Sequence, residues 1–110
     1  TARLPDVRPD DLKLAWLTLL KQASVNKHHH VTREQLSVRA HMSRVLRRLQ
    51  DAQFVAFAEL FEPKEGVPVL VVTFLAILEL AKETLIELTQ QEAYAPIYVK
   101  LRSAAPAIVE

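Results

Sequence analysis

Between residues 67 and 80 only Thr73 and Glu79 interrupt an otherwise apolar run. A stretch this greasy has to be buried or covered, because leaving it in water forfeits the main driving force for folding. It is also too short, and too interrupted, to cross a bilayer. Its start, Val69-Leu70-Val71-Val72-Thr73, has local strand propensity. Its continuation through Phe74-Leu75-Ala76-Ile77-Leu78-Glu79-Leu80-Ala81-Lys82 is longer than a strand, and Pro68 suits the first turn of a helix. The segment 67–82 is therefore expected to be one buried helix around which the rest is built.

The elements that could cover it are periodic. After Pro5 and Pro9, Asp10 and Asp11 stand where a helix start favours negative charge. Leu12, Ala15, Trp16, Leu19, Leu20 and Ala23 then recur at helical spacing, predicting a helix over about residues 10–24. Leu14 and Leu17 widen its apolar face toward a second neighbour. Residues 24–36, with the run His28-His29-His30, read as a connector, although 31–36 could also form a short strand or a turn. Ser37 is placed to cap a second helix over about 37–51, whose apolar stripe is Val38, Met42, Val45, Leu46 and Leu49. Phe54-Val55-Ala56-Phe57 predicts a small strand, and Glu59-Leu60-Phe61 one helical turn. Pro63, Gly66 and Pro68 mark a loop. Residues 85–90 and 97–101 alternate apolar and polar and should pair as a hairpin around 91–96. The end, residues 103–110, has no periodicity and reads as a tail.

This order, helix, small strand, turn, long helix, two strands, is that of a winged helix. The expected fold is mainly α within the α+β class: a winged-helix domain with a β-hairpin wing, preceded by an extra N-terminal helix. At 110 residues there is room for one modest core. The opening Thr-Ala-Arg-Leu-Pro-Asp lacks both an initiator Met and signal-peptide character, so the chain is expected to be a piece of a longer protein.

Several functions lack their parts. With no cysteine there is neither a disulfide framework nor a Cys-ligated zinc site. Three adjacent histidines on an extended chain point to alternate sides, so a solvated connector explains His28-His29-His30 better than a metal site. His41 is expected on a helix surface. No glycine-rich phosphate loop, nucleophile motif or carboxylate pair in an apolar setting is present, so no enzyme and no cofactor are expected.

Charge is unevenly spread. Residues 1–53 carry ten Lys/Arg against five Asp/Glu, and residues 54–110 carry four against eight. A winged helix that reads DNA needs Arg, Lys, Asn or Gln on its recognition helix, and residues 67–81 hold none. Any DNA contact would fall to Arg39, Arg44, Arg47 and Arg48, with Arg33 nearby, and would be weak and salt-sensitive. A solvated helix face is the plainer account of these arginines. The hairpin instead exposes one of its two apolar faces, and Tyr94 and Tyr98 are side chains of the type that anchors protein interfaces. A packing role at the base of the hairpin remains open for both.

Thr73-Phe74-Leu75-Ala76-Ile77-Leu78-Glu79-Leu80 closely resembles the C-terminal segment of segregation and condensation protein A (ScpA), the bacterial kleisin family. Leu36-Ser37-Val38-Arg39 with Met42 resembles the start of that family's first winged-helix helix. Val55-Ala56-Phe57-Ala58-Glu59-Leu60-Phe61 is similar to its strand and short second helix. Leu88-Thr89-Gln90-Gln91-Glu92 followed by Tyr94-Ala95-Pro96-Ile97 looks like its wing, and Leu4-Pro5, Asp11-Leu12 and Ala15 match the lead-in. Two departures are visible: Arg39-Ala40-His41 lacks an early acidic residue, and residues 93–96 lack a glycine at the wing turn.

The resemblance implies residues 1–30 as a helical segment from the kleisin linker, 31–102 as the C-terminal winged helix and 103–110 as a flexible tail. It implies a non-catalytic subunit of an SMC–ScpA–ScpB complex that docks on the SMC ATPase head and closes a ring for chromosome condensation and segregation. ScpB would bind mainly outside this stretch or at its start, DNA would be met through the complex, and no membrane is involved. The location would be cytoplasmic, at the nucleoid. On the wing, Tyr94, Ile97, Tyr98, Val99 and Leu101 are the expected contacts with the SMC head. The alternative is a winged-helix DNA-binding transcriptional regulator.

Overall fold

The computed structural model describes residues 5–24 and 36–102. The histidine run, the 31–35 stretch with Arg33, and the tail at 103–110 lie outside the described residues. The order is α1 (Pro9–Ser24), α2 (Val38–Gln50), β1 (Val55–Ala56), α3 (Val67–Lys82), β2 (Ile86–Gln90) and β3 (Ile97–Leu101). Two 3-10 turns, Phe57–Leu60 and Pro63–Glu65, join β1 to α3. The architecture is α+β: three helices against a three-stranded antiparallel sheet of order β1-β3-β2, among the described residues.

The apolar segment is helical throughout, and its ends show why. Gly66 takes φ 92°, open to glycine without steric cost, and its carbonyl accepts the Leu70 N–H at 3.1 Å. Pro68 follows in the first turn, where its missing N–H is no loss. Within the β-branched run Thr73 is buried, and it satisfies its hydroxyl by donating to the Val69 carbonyl at 2.9 Å. At the far end, Leu85 N–H reaches Leu80 O at 2.9 Å and Thr84 N–H reaches Ala81 O at 3.0 Å. This is a Schellman ending, with Thr84 at φ 60° where Gly or Asn is the usual occupant.

α3 buries Val69, Leu70, Val72, Thr73, Ala76, Ile77 and Leu80. α2 packs on it through Val45 and Leu49, with Met42 and Leu46 at the margin. Ser37 caps α2 as expected, its hydroxyl accepting the Ala40 N–H at 3.1 Å. α1 shares the same core through Leu19 and Ala23, and Trp16 stacks on Phe74 with ring centres 4.4 Å apart and planes 17° off parallel. Leu14 and Leu17, expected to meet a second neighbour, are exposed instead. They sit on the solvent side of a helix whose opposite face already fills the available contact.

The small strand is shorter than the expected 54–57. Phe57 turns into a 3-10 helix and points inward, meeting Phe61 edge-on at 4.9 Å. The ring is 1% exposed, and its burial removes a large apolar surface from water. In the sheet Val99 is the hub, opposite Val55 on one side and Leu88 on the other.

Candidate partner-binding surfaces

Strand alternation sorts the hairpin residues into two sets. On β3 the inward positions are Ile97, Val99 and Leu101, and the outward ones are Tyr98 and Lys100. Ile97 is 6% exposed and Val99 0%, so both side chains belong to the core. Both were expected on the docking surface; their side chains face inward because the central strand must cover the core on that side. Leu101 is half-buried against the same core. Tyr98 is 38% exposed on the outer face, and Tyr94, in the turn, is 82% exposed.

Tyr98 does not stand alone. It lines an apolar groove of about 570 Å³ together with Phe54, Pro96 and Pro5. Phe54 is half a strand's pleat out of phase with the buried Val55, so its ring lies outside, under the Lys100 ammonium at 5.7 Å. Sequence reasoning placed Phe54 in a strand without noticing this parity, which was the available signal. Pro5 carries no sequence signal for its place here, since the contact spans the chain.

The groove's floor and the turn are tied to the N-terminal segment. Thr89 donates its hydroxyl to the Pro5 carbonyl at 2.9 Å. The buried Gln90 accepts the Arg8 N–H at 3.1 Å and donates to the Asp11 carboxylate at 2.9 Å and to the Ala95 carbonyl at 2.8 Å. The same Asp11 oxygen accepts the Tyr94 N–H at 2.9 Å. These bonds hold the Asp11 carboxyl below its ordinary pKa, the Tyr94 N–H most of all; desolvation opposes them, and Gln90 and Arg8 add to the lowering. Helix-start chemistry alone therefore does not account for Asp11.

α3 also has an outer side. Pro68, Val71, Leu75 and Leu78 are exposed, at spacings of three and four residues that put them in one row. Of the two polar residues before Lys82, Thr73 is buried and bonded to its own helix, and Glu79 is hydrogen-bonded to Glu83, whose pKa that contact raises. The row thus offers no donor to a base edge.

The four arginines do not form one patch. Arg39 lies some 140° around α2 from Arg44 and its charge acts on Glu83. Arg44, Arg47 and Arg48 share a shallow depression near the C-terminus of α2. Arg48 is partly engaged, 3.7 Å from the Glu59 carboxylate and donating to the Glu59 carbonyl at 3.3 Å. His41, expected at the surface, is buried. Its Nδ1 lies 2.9 Å from the Ser37 carbonyl, an acceptor only, so Nδ1 carries the proton and Nε2 faces Arg44 at 3.5 Å. The Ser37 carbonyl thus accepts twice from His41, from its backbone N–H at 3.2 Å and from its ring, which satisfies the buried Nδ1. Among the described residues no group of His, Asp or Glu is arranged to hold a metal ion, and no helix is long and apolar enough to cross a membrane.

Residues 10–102 match the family described as segregation and condensation protein ScpA. Among curated relatives, the segregation and condensation protein A of Xylella fastidiosa (strain 9a5c) is 45% identical over 101 residues, covering 91% of this chain and 33% of the relative. That of Coxiella burnetii is 39% identical over 102 residues, 93% of this chain and 36% of the relative. That of Listeria welshimeri is 38% identical over 99 residues, 86% and 39% respectively. The chain spans between a third and two-fifths of the length of these relatives.

Proposed function

The chain belongs to the segregation and condensation protein A family, and from that premise we propose that it is the winged-helix part of a bacterial kleisin, docking without catalysis on the ATPase head of an SMC protein. The element order supports the winged helix, with α3 in the place of the recognition helix and β2–β3 as the wing. In the assembled complex this docking would close the ring that condenses and segregates chromosomes, in the cytoplasm at the nucleoid. ScpB would be engaged chiefly by segments outside this stretch, and DNA through the complex.

The observation that carries the reading is the pair of outward tyrosines, Tyr94 at the turn and Tyr98 over an apolar groove shared with Phe54. Aromatic side chains that are exposed around an apolar depression are the anchors from which protein interfaces are built. Ile97 and Val99 serve this surface from beneath, as its support. A stable contact of standard size would bury roughly 1,200–2,000 Å² in all, so it must extend beyond the tyrosines.

One observation favours a second reading, a DNA-binding regulator: Arg44, Arg47 and Arg48 lie together. Against it, the outward row of α3 is Pro68, Val71, Leu75 and Leu78, where reading bases requires polar side chains. A salt titration of duplex binding separates the two, and Tyr98→Arg tests the docking reading. The substitution should abolish co-elution with purified SMC heads while the circular dichroism spectrum stays native. Undiminished co-elution would remove the wing from the interface.

A further inference from the structure

Tyr94 sits at φ 67° in the left-handed region, a conformation that suits Gly or Asn and is disfavoured for a bulky aromatic residue. Nothing in the core rewards it, since its side chain is 82% exposed. Such a backbone persists only where its surroundings over-determine it. Here they do so from the far end of the chain. The Tyr94 N–H is held by Asp11 at 2.9 Å, eighty-three residues away in sequence. The start of the turn is held by the same carboxylate through Gln90, and its end by Gln90 through Ala95 O.

Gln90 has no spare donor. Its amide nitrogen serves Asp11 and Ala95, its oxygen takes the Arg8 N–H, and the residue is buried. A buried network with every member satisfied is rigid, and losing one member leaves the others unpaired. Asp11 contributes a carboxylate to this network, and at neutral pH a carboxylate is ionised and only accepts.

We propose that Asp11 is a positioning residue for partner docking: from the first helix it holds the β2–β3 turn in the shape that presents Tyr94. The inference rests on the docking role of the wing and adds the device that prepares it. Because Arg8 and Pro5 are bonded to the same strand, the chain leading into α1 is part of the device. Its seating and the partner's binding must then favour each other, since coupling between sites is reciprocal. α1 is accordingly a working part of the binding surface, although none of its side chains need touch the partner.

The test uses the full-length protein and purified SMC heads, with Asp11→Ala, Asp11→Asn, Tyr94→Ala and the Asp11→Ala/Tyr94→Ala double variant. Tyr94→Ala should weaken binding about tenfold or more, as removal of an aromatic anchor does. Asp11→Ala should weaken it several-fold, and Asp11→Asn, which keeps an acceptor oxygen, should restore most of the loss. The double variant should bind no worse than Tyr94→Ala alone, because a misplaced anchor and an absent one are equivalent. Amide exchange of the Tyr94 N–H in the unbound protein should accelerate in Asp11→Ala and return toward the native rate in Asp11→Asn. Unchanged exchange in Asp11→Ala overturns the proposal whatever the partner does. Losses that add in the double variant overturn it too, by showing Asp11 to act on the fold in general. Normal affinity of Asp11→Ala beside weakened Tyr94→Ala overturns the positioning role and leaves the docking reading standing. Normal affinity of Tyr94→Ala removes the docking role of the turn, and the positioning role with it.

Discussion

Replacing Trp16 by alanine tests whether α1 is an integral part of the fold. The ring is half-buried, stacked on Phe74 at 4.4 Å and tilted against Phe61 at 5.9 Å. Truncating a fully buried Trp costs about 3–5 kcal/mol, and incomplete burial argues for the lower end. The loss includes two aromatic contacts, each contributing about 0.5–1.5 kcal/mol beyond area. About 3 kcal/mol is therefore expected. For a domain near this size that corresponds to a fall in Tm on the order of 10–15 °C. Thermal unfolding followed by circular dichroism measures it, with Leu17→Ala as the control. Leu17 lies on the same helix but is 48% exposed, and its truncation should move stability by less than about 0.5 kcal/mol. If Trp16→Ala shifted Tm no more than Leu17→Ala, α1 would be an ornament on the domain and the core described above would be wrong.

Three further outcomes follow from particular residues. Thr84→Gly should stabilise the protein by about 0.5–1 kcal/mol, because a β-branched residue at φ 60° is replaced by one that accepts it freely; a lowered urea midpoint would contradict this. The folded pKa of Asp11 lies below its ordinary 3.8, so its carboxylate contributes stability that is complete above that value and is lost as pH falls through the folded value. Urea midpoints of the native protein and Asp11→Asn should therefore differ near neutral pH and converge as the pH falls below 3.8 and through the folded value, and a constant gap would show that ionisation of Asp11 is irrelevant. Changing Arg44, Arg47 and Arg48 together to Glu should leave SMC-head binding intact; its loss would bring that face of α2 into the interface, and tight duplex binding by the native protein with a steep salt slope would revive the DNA reading.

Periodicity carries an element's existence and its inner face, because both are set by residues three, four or two apart. That is why α1, α2, α3 and the hairpin were legible, as were the Ser37 cap, the apolar character of α3 and the Pro68 start. The sequence placed Tyr94 and Tyr98 on the hairpin and left open whether they pack at its base; in the fold both are exposed. It could not choose which alternation of β3 faces inward, since Ile97, Val99 and Leu101 on one side and Tyr98 on the other are all apolar enough to be buried. Only the docking of α2 and α3 against one side of the sheet decided that, and it moved Ile97 and Val99 from surface to core. His41 was misplaced for a similar reason, its burial depending on a carbonyl one turn back and on what covers it.

Local sequence thus dictated the helices, the strands and the absence of any base reader on α3 before Lys82, since each follows from neighbours along the chain. Tertiary structure alone brought Asp11 to Tyr94, Pro5 to Thr89 and Phe54 to Tyr98. Contacts between residues some forty to eighty-four positions apart leave no pattern in a single sequence, because their geometry exists only once the core has closed.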